Sequence, residues 1–182
     1  MKCKWVDEKN ELYVKYHDEE WGVPSFDDAY LFEMLVLELF QAGLSWITIL
    51  KKREAFRKNF DYFDVQKISE YDDIKIEQLM QEKGIIRNRL KIKAAIQNAK
   101  VFIQIQKEYG SFSQYIWGFT NNQIIHFDVI KTTSELSDRI SRDLKEKGMC
   151  FVGSTIIYSY LQAIGIIDDH EECCDLYWKR KN

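Results

Sequence analysis

A glutamate stands on the apolar face of the helix that the sequence predicts from residue 31 onward. Leu31, Met34, Leu35, Glu38 and Ala42 follow the i, i+3, i+4, i+7 spacing of a buried helix face. A carboxylate there must find hydrogen-bond donors, keep its proton or serve a ligand, because an unpaired buried charge is costly. Glu38 is therefore the first candidate functional residue.

Five aromatic side chains are candidates for the walls of a pocket around this glutamate. Aromatic residues fill a hydrophobic core more often than they line a ligand site. A carboxylate beside flat π-surfaces nevertheless suits a planar, electron-poor base that carries N–H donors. The five residues are Trp5, Tyr13, Tyr16, Trp21 and Trp46.

Two cysteines and two histidines lie near the chain ends, and these are residue types that bind structural zinc. His170 and Cys174 have H-x3-C spacing, which places both on one face of a helical turn. Cys3 and His17 supply matching types, and structural zinc prefers four tetrahedral nitrogen and sulfur ligands. The spacing predicts a clamp that joins the two ends, with a polar tail and idle thiols as the alternative.

A glycine turn precedes a helix that is rich in basic residues. The turn at Gly84 is expected to leave the N–H groups of Ile85, Ile86 and Arg87 free at the N-terminus of the next helix. Such a terminus binds anions, and the nearby cations indicate phosphate. The alternative is an ordinary helical hairpin with a solvated basic face. The cations are Arg87, Arg89, Lys91 and Lys93.

The elements that must position these residues are predicted to be helices. No segment shows strand-like alternation, so we expect an all-α body of six to nine helices in two lobes. Residues 1–24 show no sustained period and are expected to form an arm or loop. A Ser25–Asp28 capping pattern starts the first long helix at about Phe26, and Gly43 ends it. Further helices are expected at 46–59, 65–71, 111–117, 137–147 and 154–164. A helix that ends near Lys83 and a long helix that ends at about Tyr109 are expected on either side of the turn at Gly84, and residues 118–129 are expected to form a loop.

Composition limits the class of protein. No apolar run has membrane-spanning length and no signal peptide is evident, so we expect a cytoplasmic protein that makes no membrane contact. Four cysteines in such a chain indicate thiols or metal ligands rather than disulfides. The net charge of -3 gives no overall attraction to nucleic acid, so any such binding requires a local basic patch.

Several segments together resemble the DNA-3-methyladenine glycosylase I family. They occur in the family's order and include CKW at 3–5, YHDEEWGVP at 16–24, QAGLSW at 41–46, GIIRNRLKIKAAIQNA at 84–99 and DDHEECC at 168–174. The resemblance implies a helix-hairpin-helix DNA glycosylase fold with two helical lobes around a base-binding cleft. It implies one domain over residues 1–182, with the helix-hairpin-helix element at about 76–109.

The resemblance also assigns roles to residues. It implies that Glu38 is the catalytic and base-binding carboxylate, that Tyr16 lies in the pocket, and that Trp46 stacks on the base. Trp5, Tyr13 and Trp21 match aromatic positions around the same cavity. One structural zinc ion is implied at Cys3, His17, His170 and Cys174, and DNA contacts are implied at Gly84, Ile85, Ile86, Arg87 and Lys91. Leu39 and Gly118 depart from the family pattern.

The implied reaction removes 3-methyladenine from alkylated double-stranded DNA. It is expected to be monofunctional hydrolysis by a monomer, leaving an abasic site and free 3-methyladenine. Asp128 is the single weak candidate for a further carboxylate in the 118–128 region. The alternatives are a non-catalytic, zinc-clamped DNA-binding protein and a catalytic zinc enzyme with Glu171 as its base.

Overall fold

The structure, a computed structural model, describes residues 1–127 and 131–177. Within these ranges the chain forms nine α-helices, one three-residue 3-10 helix and two very short strands. None of the helices in these ranges combines the length and the apolar composition needed to cross a lipid bilayer. The elements are α1 Glu11–Glu19, α2 Asp28–Gln41, α3 Trp46–Asn59, the 3-10 helix Asp61–Phe63, α4 Val65–Ser69, α5 Asp73–Gln81, α6 Arg89–Tyr109, α7 Phe112–Gly118, β1 Ile125–His126, α8 Glu135–Glu146, α9 Ser154–Ala163 and β2 Ile167–Asp168.

Helix α2 is the central element of the core. Apart from Glu33, every residue from Leu31 to Phe40 is buried, which is typical of a helix enclosed on all sides. It packs against α3, α6, α7 and α9. Gly43 follows the helix with φ of +81°, a conformation that glycine adopts without steric cost. The predicted all-α class is therefore confirmed, and the candidate carboxyl lies within the most buried helix.

Two predictions for the N-terminal part of the chain are wrong. Residues 1–24 contain the helix α1, which Asn10 caps by accepting from the backbone N–H of Tyr13. This helix buries only Tyr16 and His17, so its sequence shows no apolar stripe. The first long helix begins at Asp28 rather than near Phe26, and its N-cap is Asp27.

Asp28 has a different role from the predicted one. Its carboxylate accepts hydrogen bonds from the backbone N–H groups of Phe112 and Ser113 at 2.9 and 2.8 Å, and from Nε2 of Gln106 at 2.7 Å. Asp28 therefore binds the N-terminus of α7 and links it to α2, because free N–H groups at a helix start favour an anion.

A buried arginine joins the first three helices. Arg53 of α3 donates to both carboxylate oxygens of Glu20 at 2.9 and 2.8 Å, and its Nε donates to Glu33 of α2 at 2.6 Å. Glu20 directly follows α1. Paired, hydrogen-bonded charges of this kind hold the three helices in one arrangement.

The segment after α9 packs tightly against the segment after α1. The N–H of Gly22 donates to Gln162 O at 2.8 Å, and that of Ser25 donates to Ile164 O at 3.0 Å. Gly165 has φ of +77°, and a Cβ atom there would lie 2.2 Å from the carbonyl carbon of Val23. Only glycine fits at this position, which brings the late part of the chain beside α1. The strand pair continues this contact region, with β1 parallel to β2.

Candidate functional site

A cavity of about 240 Å³ lies among α1, α2, α3, α9 and the segment after β2. It is smaller than the roughly 300–1,000 Å³ typical of drug-sized ligands, so its size suits a single small ring system. Five of the six predicted pocket residues line it. The lining residues are Trp5, Tyr16, Trp21, Glu38, Gln41, Trp46, Lys131, Ser159, Gln162, Asp169 and Glu171.

Glu38 presents an unsatisfied carboxyl to this cavity. The residue is 3% exposed, and its Oε2 has no hydrogen-bond partner within the described residues. Burial raises the pKa of Glu38 from its ordinary value of 4.5 to about 8, because the charged form loses its hydration. The ligand-free cavity therefore holds a largely protonated carboxyl at neutral pH, and a cationic or N–H-bearing ligand would favour its ionised form.

Aromatic rings form much of the cavity wall. Tyr16 and Trp46 lie with ring centroids 5.2 Å apart, and Trp5 packs edge-on against Trp21 at 5.0 Å. Burial raises the pKa of the Tyr16 hydroxyl well above its ordinary range, so this group remains a hydrogen-bond donor. Tyr13, the sixth predicted pocket residue, does not line the cavity but packs edge-on against Trp5 at 5.4 Å.

The structure brings together the four residues predicted to bind zinc. One ligand atom from each of Cys3, His17, His170 and Cys174 lies within 4.8 Å of the others, and all four residues are buried. A tetrahedral zinc ion with bonds of roughly 2.0–2.3 Å separates its ligand atoms by roughly 3.3–3.8 Å. The donor set and its spacing therefore fit a metal ion after a small contraction.

Carboxylates orient both histidines toward the centre of this cluster. Nδ1 of His17 lies 2.7 Å from Asp18, and Nδ1 of His170 lies 2.6 Å from Asp168. The Nε2 atom of each ring is thus left for a ligand, and that of His170 has no partner within the described residues. Histidines that bind metals are typically held in this way by a carboxylate on the second nitrogen.

Burial also sets the protonation of the cluster. It lowers the pKa of His17 and raises that of the Cys3 thiol to about 12. The imidazole therefore offers a lone pair, whereas a metal ion must displace the thiol proton, which makes metal affinity increase with pH.

The cluster of two cysteines and two histidines shares a wall with the cavity. Trp21 lies 4.7 Å from His170 and 6.0 Å from His17, measured between ring centroids. Trp5 lies 5.4 Å from His17. Trp5 and Trp21 therefore pack directly against the histidine rings of the cluster, so the cluster supports one side of the cavity.

The glycine turn joins α5 to α6 as predicted, and it packs closely against α3. A Cβ atom on Gly84 would lie 2.8 Å from Cβ of Ala55, and Nζ of Lys52 donates to Gly84 O at 3.2 Å. The N–H of Ile85 is used within the turn, donating to Glu82 O at 3.4 Å. The predicted free N–H at Ile85 is therefore wrong, because the turn closes on itself before α6 begins at Arg89.

The four basic residues around the start of α6 have different environments in the structure. Arg87 and Lys93 are exposed, whereas Arg89 is paired with Glu77. Lys91 is 7% exposed, and its ammonium donates to Phe40 O at 2.9 Å and Ala42 O at 2.6 Å. Lys91 thus binds the carbonyls at the C-terminus of α2, so this geometry does not direct it toward a phosphate.

Six residues that line the cavity are not among the predicted pocket residues: Gln41, Lys131, Ser159, Gln162, Asp169 and Glu171. Most of them come from α9 and the segment after it, and long-range packing rather than local pattern brings them to the cavity. The acidic run beginning at Asp168 was the available signal, although its pattern pointed only to metal ligands. Asp128 lies outside the described residues.

Comparison with known proteins identifies relatives over almost the whole chain. Residues 5–177 match the family model described as methyladenine glycosylase. A DNA-3-methyladenine glycosylase of Haemophilus influenzae is 43% identical over 95% of this chain and 96% of its own length. A crystal structure of 3-methyladenine DNA glycosylase I is 43% identical, with a TM-score of 0.92 over 96% of this chain and 98% of that one. A variant of such an enzyme in complex with 3-methyladenine is 34% identical, with a TM-score of 0.91 over 96% of each chain.

The raised pKa of Glu38 predicts a pH dependence of stability. The folded state keeps this proton up to about pH 8, whereas the unfolded chain loses it near its ordinary value of 4.5. The stability due to protonated Glu38 is therefore complete below pH 4.5 and is lost as the pH rises to about 8. Glu38→Gln should remove this loss, with a stability difference that grows by up to about 1.4 kcal/mol per pH unit across this window.

Urea unfolding of both proteins between pH 5 and pH 9 measures this difference. Titration of the other groups affects both proteins alike, so the difference isolates residue 38. A difference in unfolding free energy that stays constant with pH would contradict the assignment of a protonated, buried carboxyl.

Proposed function

The chain belongs to the methyladenine glycosylase family, and on this basis we propose that it is a DNA-3-methyladenine glycosylase of base-excision repair. It hydrolyses the N-glycosidic bond of 3-methyladenine in alkylated double-stranded DNA and leaves an abasic site. The observation that carries this proposal is the free Oε2 of Glu38 within a small aromatic cavity. We place the protein in the cytoplasm, where a bacterial chromosome lies, and propose that it acts as a monomer.

Recognition requires the damaged nucleotide to leave the helix and enter the cavity. The N3-methylated base in DNA carries a positive charge, which Glu38 would stabilise by ionising and accepting a hydrogen bond from the base edge. Trp46 would stack on the ring and Tyr16 would add a hydroxyl donor. Stacking on an aromatic side chain is worth about 1–3 kcal/mol per base, and a hydrogen bond to a charged group about 1.5–3 kcal/mol.

The same carboxyl explains discrimination against normal adenine. A neutral base leaves Glu38 without a cation, so ionisation inside the cavity stays unfavourable and the protonated carboxyl offers one acceptor fewer. The damaged base also costs less to unstack, which adds selectivity before the base reaches the cavity. The positive charge of the methylated base and its lower cost of unstacking therefore both favour its binding over that of normal adenine.

Cleavage of the cationic nucleotide needs little acid catalysis. The C1′–N9 bond breaks with its electron pair passing to the base, which neutralises the ring, while a water oxygen bonds to C1′ and releases its proton. Holding the base in the cavity supplies the orientation for this step. We propose that the reaction is monofunctional and that no lysine of the chain attacks the sugar.

The direct test is release of free 3-methyladenine from alkylated duplex DNA by the wild-type protein and by Glu38→Gln. We expect single-turnover excision by the variant to fall by about 10- to 100-fold, the loss of one charge-assisted contact. Chromatography of the released bases gives the rate. Absence of 3-methyladenine release by the wild type would contradict the proposed function, and a borohydride-trapped protein–DNA cross-link would contradict its monofunctional form.

We propose that the buried cluster holds one structural zinc ion. Cys3, His17, His170 and Cys174 would be the four ligands, and four protein ligands leave no open position for substrate or water. The ion would supply a cross-link between the N-terminal and C-terminal segments and would take no part in the hydrolysis. It would keep Trp5 and Trp21 against the cavity.

Cys174→Ser should lose the metal and lower stability, whereas Cys173→Ser provides a matched control. Cys174 is buried in the cluster and Cys173 is exposed beside it. We expect zinc content to fall from one ion per chain to near zero only in the first variant. Loss of this cross-link should cost about 3 kcal/mol or more, which lowers the melting temperature by about 6–12 °C. Equal zinc content in both variants would contradict the ligand set.

We propose that residues 76–109 form a helix-hairpin-helix element that binds the DNA backbone. Gly84, Ile85 and Ile86 form its turn, and the exposed side chain of Arg87 is free to reach a phosphate. Lys93 is a second exposed cation on the first turns of α6. Lys91 would contribute indirectly, by holding the end of α2 beside the turn.

Arg87→Ala should weaken binding to any duplex and reduce its salt dependence. Loss of one phosphate contact lowers the slope of log K against log salt concentration by about 0.9. Lys107→Ala, near the other end of α6 and roughly 27 Å along the helix axis, is the matched control and should leave the slope unchanged. Fluorescence anisotropy at several salt concentrations measures both. A loss confined to one DNA sequence would contradict a phosphate contact.

A further inference from the structure

Asp169 presents a second buried carboxyl to the cavity that contains Glu38. The residue is 6% exposed and lines the same cavity. Its Oδ1 is buried without a hydrogen-bond partner among the described residues, as is Oε2 of Glu38. Two carboxyl groups from distant parts of the chain therefore line one cavity of about 240 Å³, and each has an oxygen without a partner among the described residues.

The other oxygen of Asp169 is held by two donors on α9. The Tyr158 hydroxyl donates to Oδ2 at 2.5 Å, and Nε2 of Gln162 donates to it at 2.8 Å. The donors stand four positions apart, so they lie on the same face of the helix. Because both contacts are to Oδ2, the side chain is fixed and Oδ1 is the atom left for a ligand.

The chemistry of the base accounts for two acceptors. The exocyclic amine of an adenine carries two N–H donors, and each N–H that loses its water on binding needs an acceptor in the cavity. The two N–H bonds of the amine point in different directions, so an acceptor on a second wall is needed for the N–H that Glu38 does not meet. Oδ1 of Asp169 supplies the second acceptor from a different wall.

We propose that Asp169 is a specificity-determining residue that accepts a hydrogen bond from the exocyclic amine of the flipped base. This inference rests on the proposed function, since it takes 3-methyladenine as the ligand. A purine without the amine leaves Oδ1 unpaired, and a purine with a carbonyl at that ring position places an acceptor against an acceptor. The cavity therefore favours 6-amino over 6-oxo purines, because unpaired buried groups penalise the wrong ligand.

The variant Asp169→Asn tests this contact. Gln162 and Tyr158 both donate toward the position of Oδ2, so the amide places its oxygen there and turns its NH2 group into the cavity. That group donates where the wild type accepts, and it meets the amine of the base. We expect the Kd of free 3-methyladenine to rise by about 10- to 100-fold.

Titration calorimetry with two ligands separates this contact from general damage to the pocket. The probes are free 3-methyladenine and 3-methylpurine, which lacks the amine, each titrated into the metal-loaded wild type and variant. The wild type should bind 3-methylpurine more weakly than 3-methyladenine, and Asp169→Asn should change 3-methylpurine binding by less than about twofold. Glu172→Gln, an exposed carboxyl-to-amide control in the same segment, should leave both affinities unchanged.

Three results would overturn the inference: equal losses for both ligands, unchanged binding of 3-methyladenine, or slower excision without weaker base binding, which would place Asp169 against the sugar or water. Tyr158→Phe provides a second variant if Asp169→Asn folds poorly. This variant removes one of the two hydrogen bonds to Oδ2. It should weaken the binding of 3-methyladenine, but not that of 3-methylpurine, by a few-fold. Failure of the wild type to bind or release 3-methyladenine would instead reject the proposed function itself.

Discussion

The unpaired carboxyl of Glu38 is the constraint on which the functional part of this molecule depends. Placing it in the most buried helix raises its pKa to about 8 and leaves Oε2 without a partner. A folded protein tolerates such a cost when the group meets a ligand, and a cationic, planar base is the ligand that removes it. The aromatic walls and the small volume of the cavity restrict the site to a ligand of this kind.

The rest of the fold keeps the two sides of that cavity together. Arg53 joins the end of α1 to α2 and α3, which fixes Tyr16 relative to Glu38. The segment after α9 docks on the segment after α1 through backbone hydrogen bonds and the close approach at Gly165. The cluster that contains His17 and His170 connects the same two regions and lies against Trp21. Distant parts of the chain therefore meet at one site, and a metal ion would strengthen the contact between them.

Local sequence patterns predict most of the helices and the side of the cavity that contains Glu38. The apolar period of α2 locates Glu38, and the residue types near the chain ends indicate the Cys/His cluster that the structure brings together. The helix α1 escaped prediction because it buries only two residues, so its stability comes from caps and tertiary contacts. Asp169 and Gln162 escaped because nothing in their local sequence indicates a cavity wall. The sequence predicts Lys91 among the exposed cations, but its ammonium binds a backbone carbonyl at the end of α2. The residue type of a lysine does not show whether it is buried.

We expect the cavity beside Glu38 to be the binding site for the excised base. A crystal structure of the protein with free 3-methyladenine tests it most directly. We expect one base in the cavity, stacked on Trp46, with ring nitrogens or the amine within about 3.2 Å of the Glu38 carboxyl. A base bound elsewhere on the protein, with the cavity filled only by water, would contradict it.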